Sequence, residues 1–375
     1  MSTRFGFVST FPPTQCGLAT FTAALRDALV HSGADVGRVV RLVDAPAPPP
    51  GDEVVAQLIA NDSASLGRAA EQLNLCDIAI VQHEYGVYGG ADGSEILHLL
   101  DQVRVPCVVV LHTVLTDPTP HQRQVLESVI AKADAVVAMT MTARERLAAG
   151  YAADMTKVCI IAHGAPAMET TMAQPTFRTG QFTILTWGLL GPGKGIEWGI
   201  EAMALLRDLA PMPRYLVAGQ THPKVLLHEG EVYRDRLREQ VRQADLGSCV
   251  TFEGHYRNTS SLASLVRSAD VVLLPYDSTE QVTSGVLIEA VAAGRPVVAT
   301  QFPHAREVLA GGAGLLVPHR DPAAIAAALR SVILRGDVMR RITAAAATAP
   351  QLLWPVIADQ YRELAGRLIT ASVAA

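Results

Sequence analysis

The chain of 375 residues is long enough for two domains; it is 49% hydrophobic and 18% charged, which supplies ordinary cores and excludes a disordered polymer. Lys and Arg (31) against Asp and Glu (36) leave a formal charge of −5, which disfavours bulk attraction to nucleic acid or an anionic membrane, although a local basic patch stays open. Aromatic residues, at 5%, are too few for a single-strand stacking platform, and five cysteines without a C-x-x-C pair point to reduced core thiols rather than metal ligands or disulfides.

In chain order, MSTRFGFVSTFPPTQCG carries one Arg and a short apolar run before prolines, unlike a signal peptide. No apolar stretch approaches the roughly 18 residues of a membrane span, so a soluble, cytoplasmic chain is expected. Strands are predicted at 5–10, 37–43, 77–82, 107–112, 135–139 and 157–163, from short β-branched runs. Helices are predicted between most of them, at 18–32, 63–74, 93–103, 119–132 and 141–149, and the proline-rich segment 45–52 reads as a surface loop. The alternation breaks at 166–181, read as a linker, then restarts with strands at 182–187, 214–219, 249–254, 270–275, 296–300 and 314–318. This rhythm predicts an α/β protein of two doubly wound, Rossmann-like domains, 1–165 and 182–350, facing a cleft. In the last segment, 351–375, Trp354, Ile357, Tyr361, Leu364 and Leu368 recur at helical spacing, a stripe that must pack on something.

Ligands of such sheets sit beyond the carboxyl ends of the strands, so the loops there carry the chemistry. After the first strand, FPPTQCGLATF places Gly17 where a helix begins, either a tight turn or an anion site; no G-x-G-x-x-G is present, which weakens a dehydrogenase reading. His83, Glu84 and Tyr85 open a glycine-containing loop suited to hydroxyl recognition, and His112 with Thr113 repeats that placement on the next strand. GLLGPGKG (188–195) nearly fits the phosphate-cradling pattern G-x-x-x-x-G-K-[ST], but Gly195 stands where the Mg²⁺-ligating hydroxyl belongs. What survives is Lys194 at a helix start, either a diphosphate contact or a salt-bridged surface lysine. In QVTSGVLIEAVAAGRP, Ser284 and Gly285 can offer backbone N–H groups to phosphate oxygens. Glu289, one turn further on and flanked by apolar residues, needs a partner such as a ribose diol.

Taken together, FPPTQCGLATF, GPGKGIEWGIEA (191–202), QVTSGVLIEAVAAGRPVVAT (281–300), GAGLLVPHRDPAAIAAAL (312–329) and the Trp354 helix resemble the retaining glycosyltransferases of the GT-B fold, family 4, or glycosyltransferase group 1. The resemblance spans essentially the whole chain. It implies that the N-terminal domain binds an acceptor, that the C-terminal domain binds a nucleotide sugar, and that the last helix crosses back to the N-terminal domain. By the same resemblance Lys194, His112 and Glu289 form the catalytic set: Lys194 stabilises the departing diphosphate, His112 contacts the transferred sugar, and Glu289 holds the ribose. Gly17, Ser284, Gly285 and Val286 line the phosphates, Gln281 and Thr283 complete the donor site, and His83, Glu84, Tyr85 and His112 serve acceptor or sugar. No metal and no cofactor are expected beyond the donor substrate, for which GDP-mannose and UDP-glucose lead. The acceptor is a carbohydrate or glycolipid; nucleic acid is not a partner, and peripheral membrane contact and oligomeric state stay open.

Two residues depart from the family pattern. Gln281 replaces a common Glu eight residues before Glu289, and Leu189 replaces an Arg in the lysine loop, with Arg257 the candidate to compensate. They motivate a competing reading, a non-catalytic nucleotide-sugar-binding or regulatory protein; a nucleotide-sugar epimerase of the same fold and a P-loop ATPase are the further alternatives.

Overall fold

Residues 2–167, 181–334 and 337–374 are described by the computed structural model; most of the expected linker, 168–180, lies outside them. By internal contact the chain divides into Met1–Gly164 with Trp354–Ala375, and Ala165–Leu353.

The first unit runs β1 (Arg4–Ser9), α1 (Gly17–Val30), β2 (Val36–Val43), β3 (Val54–Ile59), α2 (Ser63–Leu73), β4 (Ile78–His83) and α3 (Ile96–Leu100). It continues with β5 (Cys107–Leu111), α4 (Pro120–Lys132), β6 (Ala135–Ala138), α5 (Met141–Gly150) and β7 (Val158–Ile160). The sheet order is β3-β2-β1-β4-β5-β6-β7 and every pairing is parallel. Helices cover both faces of such a sheet, which is why β4, β5 and β6 are buried at every residue and read as unbroken apolar runs. β3 is absent from the sequence expectation although five residues of VVAQLI are apolar: it is a mostly half-buried edge strand directly after the proline-rich loop, and its run shows no clean alternation of polar and apolar residues.

The second unit runs β8 (Thr183–Trp187), α6 (Ile196–Ala204), β9 (Arg214–Ala218), α7 (Pro223–Glu229), α8 (Val232–Gln243), β10 (Val250–Glu253), α9 (Thr259–Ser268) and β11 (Val271–Leu274). Then follow α10 (Gly285–Ala292), β12 (Val297–Thr300), α11 (Pro303–Val308), β13 (Gly314–Val317), α12 (Pro322–Leu334) and α13 (Asp337–Thr348). Its parallel sheet has the order β10-β9-β8-β11-β12-β13, and all six strands lie where the sequence predicts them. Alternate residues build a core on each face: Ile184, Tyr215, Val217 and Leu273 on one, Leu185, Trp187, Leu216 and Leu274 on the other.

The last helix, α14 (Trp354–Ala374), belongs to the first unit. Trp354, Ile357, Tyr361 and Leu364 pack with Phe21, Leu25 and Leu29 of α1 over Phe5 and Phe7, the use the predicted stripe called for. Gly164 is small for the same reason, since a Cβ there would lie 2.3 Å from the Trp354 indole. Among the described residues no helix is long and apolar enough to cross a membrane.

Candidate functional site

Strand order reverses direction between β8 and β11 in the second unit, and the loops around that point hold its candidate residues. The loop after β8 folds tightly: Gly193 and Gly195 have φ of +89° and +63°, and a Cβ on Gly195 would fall 1.8 Å from the Pro275 carbonyl oxygen. That close approach, not a missing metal ligand, explains why glycine stands where a P-loop carries Ser or Thr. Asp277 N–H donates to the Gly193 carbonyl and binds this loop to the one after β11.

Lys194 is half-buried, with Nζ 4.4 Å from the centre of the Tyr276 ring. Tyr276 is itself buried and stacked on Phe302. No carboxylate pairs with Lys194 among the described residues, so the salt-bridged alternative is not what the structure contains. Its charge stays free, held by a π-face worth about 0.5–2 kcal/mol. With burial and the charge of Lys224, it also holds His222 below the ordinary imidazole range.

The start of α10 leaves two donors unclaimed. Ser284 Oγ caps Leu287 N–H at 3.3 Å and Ser284 C=O takes Ile288 N–H, leaving Gly285 and Val286 N–H without partners among the described residues. One correction follows: Ser284 N–H is donated to His304 Nδ1 at 2.7 Å, so it is spent inside the fold and cannot meet a phosphate. A Cβ on Gly188 would sit 3.7 Å from Val286 Cγ2, which brings the glycine loop against these donors. Gln281 Nε2 donates to the Thr283 carbonyl at 3.0 Å, and Thr283 Oγ1 is buried without a partner.

Glu289 finds the partner its surroundings demand in Trp187, whose Nε1–H donates to Oε2 at 3.3 Å. Burial pushes the carboxyl up to about 7, and the indole contact offsets this only in part. Sequence reasoning missed Trp187, Tyr276 and His304, because only the packing of α10 on the sheet brings them to this point. Arg257 does not stand in for the arginine lost at Leu189: it follows edge strand β10 and is paired with Glu253 and Ser261.

In the first unit the sheet reverses between β1 and β4. Gly17 starts α1, and a Cβ there meets nothing within 4 Å, so the helix start is open to approach. Cys16 Sγ caps Ala19 N–H at 3.4 Å. His112 follows Val108 and Val110 on the α1 face of the sheet, in edge contact with the Phe21 ring. Its Nε2 lies 2.7 Å from Gln82 Oε1, a contact that fixes the ring against β4. Burial, with smaller effects of His163 and His83, lowers it to about 3, so the ring is neutral near pH 7.

His83 does not join His112. It pairs in register with Leu111, so it points to the opposite face, where it is 1% exposed, packs on Tyr85 and has both ring nitrogens unpartnered. That corrects the expectation that His83 meets an acceptor. Tyr85 is likewise buried, and Glu84 spends its oxygens on Tyr85 N–H and, at 2.6 Å, on Thr113 Oγ1. On the α1 face the structure instead aligns Arg41 with Ser9 in register, next to Gln82, as a polar row continuing to His112. A polar residue ending an otherwise apolar inward face, as in Phe5-x-Phe7-x-Ser9 and Ile78-x-Ile80-x-Gln82, is the sequence signal that would have found it.

Two parallel-sheet α/β units with glycine loops at their points of strand reversal are the architecture of the GT-B fold. A solved Anabaena protein, HepE in complex with UDP and glucose, shares it with a TM-score of 0.70 over 98% of this chain and 100% of that one, at 17% identity. Residues 181–335 match the family described as Glycosyl transferases group 1. Among curated relatives, glycogen synthase of Mycobacterium tuberculosis is 29% identical over 205 residues, 54% of this chain and 46% of that protein. Phosphatidyl-myo-inositol mannosyltransferase of Mycolicibacterium smegmatis is 38% identical over 163 residues, 43% of this chain and 40% of that protein. The matches thus span somewhat under half the length of these two relatives.

Proposed function

We propose that the protein is a retaining glycosyltransferase that moves a hexosyl unit, mannose or glucose, from a nucleoside-diphosphate sugar to a hydroxyl of a carbohydrate or glycolipid acceptor, without a metal. The observation that carries this reading is the free charge of Lys194 on Tyr276 together with the unclaimed N–H groups of Gly285 and Val286. An ammonium and a helix start stabilise a departing diphosphate as a divalent cation would. Glu289 accepts hydrogen bonds from the ribose hydroxyls, and its desolvated carboxyl gains a second partner when the donor binds. The matched domain and the mannosyltransferase relative support the same class.

No side chain of this cluster is assigned as a nucleophile toward the anomeric carbon in this reading, which favours front-face displacement. The acceptor oxygen bonds to the anomeric carbon as the sugar–phosphate bond breaks on the same face, and a departing phosphate oxygen takes the hydroxyl proton. The protein then supplies position and charge stabilisation rather than a covalent intermediate.

The test screens UDP-glucose and GDP-mannose by thermal shift, then measures donor hydrolysis and transfer with EDTA present. Lys194→Ala should fold normally, keep measurable donor binding and lose about 100-fold or more in turnover, as loss of a strong transition-state contact does. Near-normal turnover would remove Lys194 from the reaction. The second reading, a nucleotide-sugar-binding protein without turnover, draws on Leu189 and on Arg257 being committed to Glu253; tight donor binding with neither hydrolysis nor transfer would establish it.

A further inference from the structure

The first unit contains a pocket of about 780 Å³ at the carboxyl ends of β1, β2 and β3, inside the roughly 300–1,000 Å³ range of small-ligand sites. Arg41 of β2 lines it beside Thr14, to whose Oγ1 its Nη2 donates at 3.0 Å. The side chain is 6% exposed, its Nε is buried without a partner, and no carboxylate pairs with it among the described residues. Arg234, the other buried arginine among the described residues, is matched to Glu231 and to the Gly219 carbonyl. A guanidinium held out of water without an anion is costly, and Arg41 bears that cost at the wall of a cavity.

The carboxylates around the pocket do not answer it. Asp62 caps α2 through Ala64 and Ser65 N–H, Glu95 accepts Asn61 N–H, and Asp101 pairs with Lys132. Asp44, exposed at the rim, has no partner among the described residues and is free to accept from hydroxyls. A buried cation on the wall and a hydroxyl acceptor at the rim select a small polyol bearing one anionic group. We propose that this pocket binds a sugar or cyclitol carrying a phosphate or a carboxylate, with the anion on the Arg41 guanidinium and a hydroxyl on Asp44. As the acceptor of the transfer, this ligand rests on the function proposed above; the binding itself does not.

The experiment measures thermal shifts and binding isotherms of the full chain with glucose 6-phosphate, glucuronate, glucose and inorganic phosphate. Glucose 6-phosphate or glucuronate, whichever carries the preferred anion, should raise the melting temperature, and glucose should not. Arg41→Met should keep or exceed the wild-type melting temperature without ligand and bind the anionic sugar at least tenfold more weakly, while UDP-glucose or GDP-mannose shifts stay unchanged. No shift with either anionic sugar, equal binding by Arg41→Met, or a large loss of its intrinsic stability overturns the proposal. Should Arg41→Met fail to fold, Asp44→Asn decides: several-fold weaker binding of the anionic sugar with inorganic phosphate unaffected supports the site, and unchanged binding of both overturns it. The separate nucleotide-sugar arm shows whether the transferase reading stands or falls on its own.

Discussion

Glu289 shows how much a single side chain's meaning depends on its neighbours. Its carboxyl titrates near 7 because burial penalises the charged form. The unfolded carboxyl ionises near 4.5, so the folded state binds the proton more tightly and loses stability as pH rises between about 4.5 and 7. Glu289→Gln should therefore flatten the urea-denaturation profile over that window and be more stable than the parent at pH 8, by at most about 3.5 kcal/mol at about 1.4 kcal/mol per pKa unit. It should also weaken nucleotide-sugar binding, because the amide keeps one acceptor where the carboxylate offers two. A profile parallel to the parent's would show that Glu289 is ionised normally. That an acidic residue amid Leu287, Ile288 and Ala290 required a partner was legible in the sequence; that the partner is Trp187, 102 residues earlier, was not.

At the scale of the element, helix starts are where sequence and structure agree most closely and part most instructively. TSG and GPGKG were readable as turns into helices because glycine and a capping hydroxyl have local causes. Which N–H groups stay free is a tertiary matter: His304, twenty residues on, claims that of Ser284, leaving Gly285 and Val286. The lysine loop carries a sharper constraint. Gly195→Ser would complete the P-loop pattern, yet its Cβ must enter the Pro275 carbonyl and adopt φ near +63°. The variant should lose about 2 kcal/mol or more of stability and gain no magnesium-dependent NTP hydrolysis, checked by denaturation and a phosphate-release assay. Gained hydrolysis would revive the ATPase reading. The missed strand β3 makes the converse point: an edge strand buried on few residues leaves little alternation to read.

Across the whole molecule, the first unit is closed by a helix from the far end of the chain. Ile357 is fully buried in the core shared with α1 and the sheet, so Ile357→Ala should cost about 2–5 kcal/mol in urea denaturation, with the nucleotide-sugar binding proposed for the second unit spared. The same unit carries three neutral imidazoles, His83, His112 and His163, lowered by burial to about 4, 3 and 4. Unfolded histidine takes up its proton near 6.5, so the stability these groups contribute is complete above that pH and is lost as pH falls toward 4. His83→Leu should reduce the slope between pH 6.5 and 4, and an unchanged slope would place the acid sensitivity elsewhere. The alternating strands, the two α/β units, the glycine loops and the α14 stripe were determined by the sequence alone, because periodicity and turn chemistry are local. Only the tertiary structure decided that His83 and His112 face opposite ways, that Lys194 rests on Tyr276 instead of a carboxylate, and that Arg41 is buried without a carboxylate partner. Each of these depends on strand register and on packing between residues far apart in the chain, and no local pattern encodes such contacts.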